Sequence, residues 1–118
     1  MQIDKRQVGD VLVVQPLEPR LDARVAVSFK ETMVNFIKEG HNRIVLNLSN
    51  VDFIDSSGLG AIVSSLKALG LKGEFAICGP RDTVLTMFKL TRMDKVFRIL
   101  KQEEETIAAL TSAATSNS

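Results

Sequence analysis

The sequence predicts an α/β domain with a mostly parallel mixed sheet of about four to five strands and about four helices. Three observations predict it. Ile44-Val45-Leu46-Asn47-Leu48 is a nearly continuous apolar run, and Glu74 to Cys78 is a second such candidate, as expected of strands covered on both faces. The stretches around these runs repeat apolar residues at helical spacing. Strand and helix patterns alternate along the chain, which calls for parallel connections.

Taken in order, Val11 to Val14 is a β-branched run ending before Pro16, with Ile3 to Gln7 as its partner across a turn at Gly9-Asp10. This hairpin would supply an antiparallel edge. Pro16 and Pro19 mark the loop that follows. Val25, Phe29, Met33, Phe36 and Ile37 share one face of a first helix, with Asp22 as a possible cap and Gly40 as a stop. After Ile44–Leu48, Val51 to Ile54 either extends that strand or flanks it. Leu59, Ile62, Val63, Leu66 and Leu69 define a second helix ended by Gly70. Gly79-Pro80 closes the Glu74–Cys78 strand. A third helix is expected from Arg81 to Leu90, with Val84, Leu85 and Phe88 inward, then a strand at Val96–Leu100. A terminal helix is expected at Gln102–Leu110, packing through Ile107 and Leu110. Residues 1–110 thus form one domain. Residues 111–118 hold no charge and no large apolar side chain, so a disordered tail is expected there.

Composition removes several function classes. The 118 residues allow one domain, with 45% hydrophobic and 25% charged residues. Fifteen Lys and Arg against fourteen Asp and Glu leave a net charge of +1, which disfavours nucleic acid as a partner. Trp and Tyr are absent and only six Phe are present, too few for a single-strand stacking platform. No apolar run is long enough to insert into a membrane as a spanning helix. The N-terminus MQIDKRQVGD has no apolar signal core, so a cytoplasmic location is expected. Cys78, alone in the run FAIC, reads as a small buried hydrophobe, and His41 in EGHN as a loop residue without co-ligands. No cofactor or metal is expected.

One segment is informative: Asp55-Ser56-Ser57-Gly58-Leu59-Gly60, between a strand and an apolar helix. A serine at a helix N-terminus lies where unpaired N–H groups and the helix dipole favour negative charge. Phosphorylation would add about −1.5 to −2 charges there. The glycines leave the backbone open to close approach. The spacing matches neither a dinucleotide fingerprint, since Val63 stands three residues after Gly60, nor a P-loop. On residues alone, the favoured reading is that Ser56 or Ser57 merely caps a helix.

The span NLSNVDFIDSSGLGAIVSSLKAL, Asn47 to Leu69, resembles the STAS-domain anti-sigma factor antagonists of bacteria, whose signature is a strand, an F-x-D-S-S/T-G-L-G turn and an apolar helix. Arg20-Leu21-Asp22-Ala23 resembles the family's G-x-L-D-A segment, with Pro19 where the family has glycine. The resemblance covers about residues 5 to 110. It implies a single STAS domain acting as a switch and not as an enzyme. The unphosphorylated form would bind a serine-kinase anti-sigma factor and displace a sigma factor. The kinase would release it by phosphorylating Ser56, and a metal-dependent serine phosphatase would restore it. Asp22, Asp55, Ser57, Gly58, Leu59 and Gly60 would face the partner. ATP and magnesium would belong to the kinase.

Each of these residues also has a plainer role. Asp22 and Asp55 can be helix caps, Gly58 and Gly60 can serve close packing, and Leu59 can belong to the core. Met87 and Met93 read as core or rim residues, and Glu103-Glu104-Glu105 as a solvated helix start. Two other functions compete with the switch. One is a structural STAS subunit of another assembly, such as a lipid-transport complex. The other is a serine hydrolase, which lacks a base because His41 is expected on the far side of a strand from the serines. A free monomer is the expected state.

Overall fold

The computed structural model describes residues 1–115. Its elements are β1 (Ile3–Val8), β2 (Val11–Pro16), β3 (Arg20–Leu21), α1 (Ala26–Lys38), β4 (Arg43–Asn47), β5 (Phe53–Ile54), α2 (Ser56–Leu69), β6 (Glu74–Cys78), α3 (Asp82–Leu90), β7 (Arg98–Leu100) and α4 (Glu103–Thr115). A 3-10 turn at Met93–Lys95 precedes β7.

Five strands form one sheet in the order β1-β2-β4-β6-β7. The β1–β2 hairpin is antiparallel, with Val8 opposite Val11 and Ile3 opposite Pro16. The remaining pairs are parallel. Alternation along each strand divides the side chains between two faces. Leu12, Val14, Ile44, Leu46, Phe75 and Ile77 meet α1, α2 and α3 in the larger core, around the fully buried Phe29, Met33, Ile62 and Phe88. Val11, Val13, Val45, Ala76 and Cys78 meet Leu110 and Ile107 of α4 on the other face. Coverage on both faces is why the central strands read as unbroken apolar runs.

Several boundaries differ from expectation. β2 continues through Pro16, which an edge hairpin tolerates where no ladder N–H is needed. Val51 to Ile54 neither extends nor flanks β4. Its last two residues pair in parallel with Arg20 and Leu21 in a separate two-stranded sheet. α1 begins at Ala26, and Asp22 caps the turn that leads into it rather than the helix itself: its Oδ1 accepts from Arg24 N–H at 3.1 Å. Val96 is exposed, and the last strand starts at Arg98 because the 3-10 turn takes up the preceding residues. The tail expected from Thr111 is corrected in its first part, since α4 runs through Thr115. Its Ala-containing sequence favours propagation of a helix already nucleated by packed residues. Residues 116–118 lie outside the described residues.

α4 is tied to the sheet by polar contacts as well. Glu103 accepts from Asn47 Nδ2 at 2.7 Å and pairs with Arg6 of β1. Partial burial pushes the Glu103 carboxyl up, but the Arg6 and Asn47 hydrogen bonds and the Arg6 charge outweigh it and hold the group below its ordinary value. Burial, reinforced by the Glu103 charge, pushes the Cys78 thiol up to about 11, against a lowering hydrogen bond with Thr106.

Two outcomes follow from this packing. Cys78 should resist thiol-specific labelling at pH 8 in the native state and react only as the protein unfolds, because little thiolate forms and the sulfur is inaccessible. The depressed Glu103 contributes stability above its unfolded value near 4.5, lost as pH falls through the lower folded value. Glu103→Gln should therefore lower Tm at pH 7, and the gap from wild type should close in melts performed below pH 4.

Candidate functional site

β5 carries the chain directly into α2, and the turn between them is built around Asp55. Asp55 is the N-cap residue, extended at φ −106° and ψ −176°, and its Oδ1 accepts from Gly58 N–H at 2.9 Å. A short carboxylate at this position satisfies a helix N–H that has no partner within the helix. Its other oxygen, Oδ2, accepts from Ala23 N–H at 3.2 Å, and the Asp55 N–H donates to the Leu21 carbonyl at 3.3 Å. Asp55 thus joins the α2 N-terminus to the Leu21–Ala23 turn. The cap is Asp55 and not Ser56 or Ser57.

The two serines occupy the first two helical positions, and both are exposed. No hydrogen bond from the described residues holds either hydroxyl. Gly58 and Gly60 divide by role. A Cβ on Gly58 would stand 2.0 Å from the Leu21 carbonyl oxygen, so the close packing of the two segments demands glycine there. A Cβ on Gly60 would meet nothing within 4 Å, and its backbone is helical and exposed. A helix-interior glycine costs about 0.5–1 kcal/mol relative to alanine. Nothing among the described residues requires it there. Leu59 is 7% exposed and sits mainly in the core, with an edge reaching the surface groove described below.

Asp22 lies on the adjoining turn, but its charge is not bare. Arg20 Nε stands 3.4 Å and Arg24 Nε 3.9 Å from Asp22 Oδ2. The Arg20 guanidinium also lies over the Phe53 ring, 4.2 Å from its centroid. The expected pair of partner-facing carboxylates is thus one helix cap and one carboxylate balanced by arginines. Behind the turn, Arg81 donates to the Ser49 carbonyl at 2.8 Å and pairs with Asp52, while Thr83 Oγ1 donates to the Asp52 carbonyl at 2.7 Å. These contacts moor the β4–β5 connection to the start of α3.

A shallow apolar groove of about 430 Å³ runs from Ser56 between α2 and α3, lined by Leu59, Gly60, Val63, Met87 and Met93 among others. The methionines are half-buried, in keeping with a rim position. Their place on this groove was not readable from sequence, because the register of α3 against α2 is a tertiary choice. The Arg20–Phe53 stack and the Arg81–Asp52 pair were likewise missed. His41 precedes the start of β4 and meets the Phe36 ring edge-on at 6.3 Å, whereas Ser56 follows β5 at the opposite end of the sheet. The two are not brought together. Among the described residues no cluster of three or more His, Cys, Asp or Glu is placed to hold a metal ion, and no helix is long and apolar enough to cross a membrane.

Comparison with known proteins agrees with this geometry. Residues 2–106 match the family model of the STAS domain. A provisionally named anti-sigma factor antagonist of Thermotoga maritima is 36% identical over 94 residues, covering 78% of this chain and 82% of that protein. The anti-sigma F factor antagonist of Paenibacillus polymyxa is 33% identical over 113 residues, covering 94% of this chain and 93% of its own. A crystal structure of the Thermotoga maritima antagonist superposes with a TM-score of 0.85 at 31% identity, over 92% of this chain and 94% of that one. A five-stranded sheet covered on both faces, an Asp-capped serine turn and these relatives together place the chain in the STAS-domain family of anti-sigma factor antagonists.

Proposed function

We propose that this chain is the antagonist in a phosphorylation-controlled partner switch. Its unphosphorylated form binds a serine-kinase anti-sigma factor, phosphorylation of Ser56 releases it, and a serine phosphatase resets it. The observation that carries this reading is the position of Ser56: an exposed hydroxyl at the first residue of a helix whose N-terminus is locked onto the neighbouring turn. A kinase reaches such a hydroxyl without unfolding anything. The helix dipole tolerates the added anion, so the phosphorylated chain keeps its fold.

The charge acts at the interface. With Asp22 balanced by Arg20 and Arg24, the phosphate is the principal change in local charge. Facing a partner carboxylate at about 6 Å, with an effective dielectric of about 20 to 40, each charge pair is repelled by about 1–3 kcal/mol. A penalty of about 3 kcal/mol weakens binding on the order of a hundredfold. The rigid turn needs no rearrangement to transmit it. Ser57, Leu59 and Gly60 surround the phosphoacceptor and supply the neighbouring contact surface, with Asp22, Asp55 and Gly58 holding its shape.

Titration of the cognate kinase should find Ser56→Ala binding as the unphosphorylated protein does even with ATP present, and Ser56→Asp binding about tenfold or more weakly. Equal affinity of the two variants would end this reading, as would co-purification with a transporter ATPase in place of a kinase. The two glycines give a second test. Gly58→Ala should destabilise the fold by about 1–3 kcal/mol, because backbone must move. Gly60→Ala should stabilise the free protein by about 0.5–1 kcal/mol in denaturant titrations while weakening kinase binding. Unchanged affinity in a more stable Gly60→Ala protein would exclude Gly60 from the interface.

A further inference from the structure

The end of the molecule at which α2 and α3 finish carries a charge that the rest lacks. Helices in this fold return antiparallel to the strands, so the C-terminal ends of α2 and α3 share a rim with the starts of β6 and β7. The groove that begins at Ser56 is lined farther along α2 by Lys67 and beyond α3 by Thr91 and Met93. Residues 67–74 and 87–98 hold six of the fifteen Lys and Arg but two of the fourteen Asp and Glu. The rim is therefore +4, and the remainder of this +1 chain is −3. Of the two acids, Glu74 is already paired with Arg43 at 3.5 Å.

The six cations are Lys67, Lys72, Lys89, Arg92, Lys95 and Arg98, all exposed, and among the described residues no ion pair engages them. Helix dipoles explain Lys67 and Lys89, which stand in last turns. They do not explain the other four, which lie in connections and at the start of the edge strand. Three of the four most exposed large apolar side chains among the described residues stand between these cations: Leu71 at 105%, Leu90 at 77% and Val96 at 54%. Leu71 sits on the α2–β6 connection, Leu90 ends α3 and Val96 precedes β7, and none of them belongs to the core.

We propose that this rim is a peripheral docking surface for an anionic lipid membrane. Six unpaired cations fit a continuous sheet of negative headgroups, and separate apolar protrusions enter a headgroup layer independently. A protein partner would need a matching recess for each of three separate side chains. The fourteen-residue α2 sets the Ser56 turn about 20 Å from this rim, so a protein adsorbed here presents its switch away from the lipid. The chain adsorbs through its surface, without a spanning segment.

Flotation of the full chain with vesicles tests this. Wild type should float with mixed phosphatidylglycerol–phosphatidylcholine vesicles at low salt, stay behind with phosphatidylcholine alone, and release at high salt. Lys72→Glu/Lys95→Glu should weaken binding about tenfold or more. Leu71→Ser/Leu90→Ser should also weaken it, while Ser56→Asp leaves it unchanged, with thermal melts confirming that each variant folds. Failure of wild type to float on anionic vesicles at low salt, or flotation indifferent to both double variants, overturns the proposal. Binding to polyglutamate as tight as to the vesicles, and insensitive to loss of Leu71 and Leu90, overturns it in favour of an acidic protein partner.

Discussion

The N-terminus of α2 rests on the backbone of Leu21, and the candidate site depends on that contact. One hydrogen bond to the Asp55 carboxylate, from Ala23 N–H, and one from the Asp55 N–H to the Leu21 carbonyl span the junction. The other carboxylate oxygen caps α2 at Gly58 N–H, and the missing side chain of Gly58 lets the two backbones close. Buried or half-buried backbone groups must find partners, and here each segment supplies those of the other. The two-residue strands β3 and β5 are too short to be stable alone. They persist because this junction, the Arg20–Phe53 stack and the Arg81 contacts hold both ends of the loop pair. Ser56 is displayed on a surface whose position is settled before any partner arrives.

That rigidity bears on how the proposed switch would work. A phosphate on a mobile loop would be able to move away from an opposing charge, and its effect on binding would be diluted by the loop's freedom. In the proposed switch the phosphate would sit on a capped helix start and could not move away, so the electrostatic penalty would be felt at the interface in full. The arginines around Asp22 sharpen the contrast by keeping the resting turn from being strongly negative. Asp55 contributes mainly through geometry, since both of its oxygens are engaged by backbone N–H groups.

The rest of the fold separates tasks by location. Both sheet faces are covered, α1 to α3 on one side and α4 on the other, so stability resides in the layers and the ends of the strands are free to vary. One end bears the serine turn. The opposite rim gathers exposed cations and apolar tips that neither the core nor the turn uses. Net charge near zero conceals this polarity, because opposite excesses at separated places cancel in the sum.

Much of this was legible before any coordinates. The alternation of strand and helix, the doubly covered central strands, the hairpin edge and the D-S-S-G-L-G turn are written in spacings of a few residues, and local spacing follows from the geometry of strands and helices. Where local signals are weak, as at Val51–Ile54, around Met93 and after Leu110, spacing alone misplaces the elements. The sequence by itself determined the layered α/β class, the family and the serine at a helix start. Only the tertiary structure decided that Asp55, and not a serine, is the cap, that Gly58 is required and Gly60 is not, that Asp22 is balanced by arginines, and that Met87 and Met93 line the groove that begins at Ser56. The physical reason is range. Asp55 meets Ala23 across 32 positions of chain, and no periodicity within a helix or strand records which distant backbone will arrive to complete a turn.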